Sequence, residues 1–174
     1  MSIRQKRWLR AALWALVLVW MAVIFRFSAQ TAAASSETSG GVIRWLLVHF
    51  DSGFAALSPE AQALRMEGLS FLVRKLAHGC LYAVLGALTL AAFLVDQPPR
   101  RACPAALTVA ALRGVLDEVH QLFVPGRSCE LRDMAIDALG AALGAGALLL
   151  VFLLRKRAKR QQAIHAPGHR RGGS

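Results

Sequence analysis

Charged residues are sparse in this chain. Only 18% of its 174 residues are charged, against 56% hydrophobic, and its mean hydropathy is +0.45. That is too little polar surface to cover a soluble globule of this size, so a membrane protein is expected. Three cysteines are too few for a disulfide framework: the expected topology puts Cys103 in the cytoplasm, Cys129 outside and Cys80 within a span, so that only Cys80 and Cys129 could meet, and no pairing is expected. Alternating strand patterns and internal repeats are also missing, which removes sheet and repeat architectures. No Gly-x-Ser-x-Gly elbow and no His-Glu-x-x-His pair occurs, so no hydrolase signature declares itself.

What the chain does have is four long apolar segments, about 8–27, 76–95, 105–124 and 134–154. Each approaches the roughly 20 residues that a helix needs to cross about 30 Å of hydrocarbon. Backbone groups must satisfy one another inside lipid, so an all-α, four-transmembrane-helix bundle is expected over 8–154. The first segment follows the basic stretch 1–7 and could pass for a signal peptide. Its apolar run is nearer a full span than an h-region of about 7 to 15 residues, and it is read as retained. Residues 28–75 form the expected extracytoplasmic loop: "SAQTAAASSETSGG" as irregular turns, "VIRWLLVHF" as a short interfacial or re-entrant helix, and a further helix beginning at "SPEAQALRMEGLSFLVRK". In that last helix Ser58 is the N-cap, Pro59 the first position and Glu60 the residue at the positive dipole end, with the helix running on into the second span.

The formal net charge is +11, from 21 Lys and Arg against 10 Asp and Glu. The basic residues concentrate at the amino end, in "QPPRRACP" and in "RKRAKRQQ". With four crossings these three places share a side, and the positive-inside rule makes it the cytoplasm, with both termini there. Such runs anchor helix ends to anionic lipid, and no nucleic-acid role is expected. The tail 155–174 is expected to be basic and disordered.

This topology brings the outer ends of the last three spans to one level. On the second span Lys75, His78 and Tyr82 share a helical face, with Arg74 one turn from His78. On the third, Arg113, Asp117, His120 and Gln121 share a face, while Glu118 lies about 100° round the helix. Asp133 and Asp137 open the fourth span one turn apart, followed by Gly140 and Gly144, whose small size allows close helix approach. "VPGR" is a turn that leaves Arg127 at the mouth. Taken singly, an Arg113–Asp117 ion pair or an interfacial Tyr82 needs no function. Together, ionisable groups gathered at one end of a small membrane bundle mark a functional site.

The stretches "RKLAHGCLYAVLG" and "DEVHQLFVPGRSCELRDMAIDALGAALG", and more weakly "FSAQ" after the first span, resemble the VanZ family. The match carries over onto Lys75, His78, Glu118, Gln121, Arg127 and Asp137. "SCELR" between Arg127 and Asp133 is an insert on that pattern. The resemblance implies a multi-pass protein of the bacterial cell membrane, linked to teicoplanin resistance but without an established biochemical activity for the family.

Two functions from different classes follow. In the first, Arg74, Lys75 and Arg127 bind an anionic head group, oriented by His78 and Gln121 and supported by Tyr82, Glu118, Asp133 and Asp137. The ligand is then a membrane lipid, a lipid-linked wall precursor or an amphiphilic glycopeptide. In the alternative, an intramembrane enzyme modifies or hydrolyses a lipid-linked phosphate, with Asp117 or Glu118 as base, His120 or His78 as acid and Arg127 as charge stabiliser. Asp117 and Glu118 point in different directions and do not both face one small site. His78, His120, Glu118 and Asp137 are conceivable ligands for a divalent metal, but no cofactor or metal is assigned, and the oligomeric state is left open.

Overall fold

The computed structural model describes residues 2–165. The described residues form five α-helices and one 3-10 turn: α1 Ile3–Ser28, α2 Ala32–Phe50, the 3-10 turn Phe54–Ala56, α3 Pro59–Leu94, α4 Pro99–Gln121 and α5 Leu131–His165. No strand occurs among the described residues.

Helix α3 starts as its sequence demands. The Ser58 hydroxyl accepts the Ala61 N–H at 3.3 Å, Pro59 occupies the first position, and the helix continues unbroken into the apolar span. Helix α1 begins earlier than its apolar run, because Ser2 and Gln5 form a capping box: Ser2 Oγ accepts the Gln5 N–H and Gln5 Oε1 accepts the Ser2 N–H.

Two expectations are corrected. The polar stretch after Ser28 is not irregular: it is helical from Ala32, and the short helix expected at "VIRWLLVHF" is the second half of a 19-residue α2. Thr31 caps it, alanines favour it, and Thr38 and Ser39 spend their hydroxyls on the carbonyls of Ala34 and Ser35. Likewise, α5 does not end at residue 154 but runs through the basic segment to His165. Of the tail expected to be disordered, 155–165 is therefore helical, since Arg, Lys, Gln and Ala are good helix formers. Residues 166–174 lie outside the described residues.

Helices α1, α3 and α5 are long and apolar enough to cross a membrane, which makes this a membrane protein. On α1, Leu16, Leu18 and Val19 face outward, as suits a helix with hydrocarbon for its solvent. Helix α4 is not among these candidates; within its apolar stretch Arg113, Asp117 and Glu118 interrupt the run. It nevertheless lies alongside α3 and α5 from end to end. Ala102 and Ala106 pack with Leu90 and Ala145 at one level, and Gly114 stands against Tyr82 and Asp137 at the other.

The tightest seam is between α3 and α5. A Cβ on Gly86, Gly140 or Gly144 would collide with the backbone of Ala141, Gly79 or Ala83 respectively, so backbone meets backbone there. Arg10 binds Asp96 at 2.9 Å, holding the start of α1 against the α3–α4 turn at the basic end of the bundle. At the opposite end the Trp20 indole donates to the Leu81 carbonyl at 2.8 Å and ties α1 to α3.

Candidate functional site

The polar residues meet at the end of the bundle where α1 ends, α2 and α3 begin, and α4 turns into α5. Gly126, at φ 74°, makes that turn possible in a conformation other residues rarely adopt. The turn brings Arg127 back to α1, where its Nε donates to the Gln30 carbonyl at 3.3 Å. Nearby, Gln121 Nε2 donates to the Ser28 hydroxyl at 3.3 Å, with both side chains buried. The "FSAQ" stretch thus supplies two partners, Ser28 and Gln30, to residues more than ninety positions away.

Four small arrangements make up the cluster. Asp117, fully buried, accepts from Arg113 at 2.8 Å and from the Tyr82 hydroxyl at 3.3 Å. Glu118, also fully buried, points elsewhere: its Oε2 accepts the backbone N–H of Glu130 at 2.8 Å, holding the approach to α5. Lys75 is engaged by Asp133 and, at 3.2 Å, by Glu130. His78 Nδ1 stands 3.5 Å from Asp137 Oδ1, near enough for electrostatic attraction but not aligned as a hydrogen bond. The divergence expected of Asp117 and Glu118 is what the helix produces.

Arg74 differs from its neighbours. It forms no ion pair or hydrogen bond, although it lies beside Arg127. Burial, and next the Arg74 guanidinium, hold the Arg127 pKa below an arginine's ordinary value, with Asp133 and Glu118 opposing. Two guanidinium groups from different elements therefore line one pocket, and neither forms an ion pair.

Two cavities adjoin this pair. A polar pocket of about 110 Å³ is lined by Arg74, Lys75, His78, Gln121, Arg127 and Asp133, together with Phe71, Gly126, Ser128 and Glu130. An apolar cleft of about 380 Å³ lies between α1, α2 and α3, walled by Trp20, Phe27, Val73, Leu81 and Val84. Arg74, His78 and Arg127 line both.

Of the residues expected to contact a ligand, six line the polar pocket: Arg74, Lys75, His78, Gln121, Arg127 and Asp133. Tyr82, Glu118 and Asp137 lie behind it and brace its walls. His120 is apart: its ring stacks at 4.8 Å on Phe25 of α1, and it lines neither cavity. The four residues conceived as metal ligands do not converge, and among the described residues no group of three or more His, Cys, Asp or Glu is placed to hold a metal. All three cysteines are free. Sequence reasoning missed Glu130, which lies in the "SCELR" insert, and Trp20, an ordinary aromatic in an apolar run.

Residues 13–154 match the VanZ/LLP1 family. The chain belongs to that family. No curated protein and no solved structure matches it. The matched region runs from within α1 to beyond the middle of α5, and so contains every residue that lines the polar pocket and the apolar cleft.

Proposed function

We propose that this VanZ-family protein binds an anionic amphiphile at the outer face of the bacterial cell membrane. The observation that carries the reading is the sharing of Arg74, His78 and Arg127 between a polar pocket and an apolar cleft. A head group with negative charge relieves the repulsion of the two guanidinium groups, and a hydrocarbon tail occupies the cleft. Lys75 is already neutralised by Asp133 and Glu130, so the charge available to a ligand comes from the arginines.

The orientation rests on four crossings. Alignment of α4 with α3 and α5 at both ends supports its counting as a span, with its charges turned inward against Tyr82 and the α4–α5 turn. The basic residues around Arg10, Arg100 and Arg155 then lie in the cytoplasm, and the polar cluster lies outside. An outer site that captures an anionic envelope lipid, a lipid-linked wall precursor or the tail of a glycopeptide accounts for a link to teicoplanin resistance.

The test is binding by the purified protein in nanodiscs. Arg127→Lys keeps the charge but loses the planar fork, so affinity for an anionic amphiphile should fall about tenfold. Equal affinity of the two proteins would sink the reading.

A second reading, an enzyme acting on a lipid phosphate, draws on the His78–Asp137 contact at the junction of the two cavities. It requires product formation from a lipid phosphate that His78→Ala removes; a binder gives saturable association without product.

A further inference from the structure

Resting on that reading, we infer that the ligand is a single-tailed lipid phosphate, with one phosphoryl group between Arg74 and Arg127 and one hydrocarbon chain in the cleft. Three features select this class. The first is size. The polar pocket, at about 110 Å³, has room for roughly four waters at about 30 Å³ each. That accommodates a phosphoryl group.

The second is the direction from which the donors arrive. Arg74 comes from α3 and Arg127 from the α4–α5 turn, and Arg74 has no partner of its own. A carboxylate takes its donors close to one plane, on two oxygens. A tetrahedral phosphate offers oxygens to two forks from different sides.

The third is that the polar pocket adjoins one apolar cleft of about 380 Å³, with Arg74, His78 and Arg127 lining both. Cavities around Arg7, Arg155 and Arg157 lie at the basic end and share no residue with it. The Trp20–Leu81 hydrogen bond holds α1 against α3 beside the cleft.

The experiment uses the full-length protein in phosphatidylcholine nanodiscs, titrated with oleoyl lysophosphatidic acid, dioleoyl phosphatidic acid, oleoyl lysophosphatidylcholine, oleate and inorganic phosphate. Binding is read by native mass spectrometry. Location is read by maleimide labelling of Cys80, which lines the cleft, in a Cys103→Ser, Cys129→Ser background. Lysophosphatidic acid is expected to bind at least about tenfold more tightly than every other probe. It should also slow Cys80 labelling, and Arg74→Gln should abolish both effects. Because Arg74 makes no ion pair or hydrogen bond, that variant breaks neither.

Equal binding of dioleoyl phosphatidic acid would overturn the single tail while leaving the amphiphile reading intact. Equal binding of oleate would overturn the phosphate. Inorganic phosphate alone binding as tightly would overturn the role of the cleft. No binding by any of the anionic amphiphiles would overturn this inference and the proposed function together.

Discussion

At the scale of single residues, the site is a set of buried charges whose partners determine what each can do. Asp117 has Arg113 and Tyr82, and no water-exposed atom. Arg113→Met should therefore destabilise the protein by about 3–5 kcal/mol, the usual cost of leaving one member of a buried pair alone. Adding Asp117→Asn should recover part of it; the loss and its recovery are read as thermal midpoints in detergent. Glu118 has a different task, accepting the Glu130 N–H. Glu118→Ala should cost about 1–3 kcal/mol and speed amide exchange at Glu130 while leaving Asp117 paired. Helical spacing made the separate directions of these neighbouring carboxylates legible. It gave no hint of Ser28 or Gln30 as partners, because those contacts join positions more than ninety residues apart.

At the scale of elements, the decisive packing is α3 against α5. Glycines at steps of four in the sequence announced a close approach, and the helices do approach until the backbones touch. Gly144→Ala should force them apart and lower the thermal midpoint, since its new methyl group would overlap the Ala83 carbonyl. Gly146→Ala is the control: nothing lies near its Cβ position, and helix propensity alone should make it neutral or stabilising by up to about 1 kcal/mol. Helix α2 was the element least legible in advance. Ser, Thr and Gly disfavour a helix by composition, but the Thr31 cap and the packing of Ile43 and Leu47 on Phe54 reverse that preference.

At the scale of the whole molecule, topology decides whether the polar cluster meets the outer leaflet. A reporter fused after Ser174 should read as cytoplasmic, and one inserted near Ser39 as external. If α4 does not cross, the two ends of the basic surface separate to opposite sides and the reporters will disagree with that pattern. Contacts at both ends of α4 favour crossing, since its alanines pack on α3 and α5 near the basic end and its carboxylates reach partners at the other.

An α-helical, membrane-embedded protein, the start of α3 and the gathering of carboxylates and histidines away from the basic end were all legible in the sequence. Those features follow from hydropathy, capping and helical period, which act within a few residues of chain. The packing of the helices is what commits Lys75 to Asp133 and Glu130, leaves Arg74 without an ion pair and sets His120 aside on Phe25. It alone joined the polar pocket to an apolar cleft through Arg74, His78 and Arg127. The reason is physical: a cavity and an unpaired charge are properties of the space between elements, and no single helix carries them.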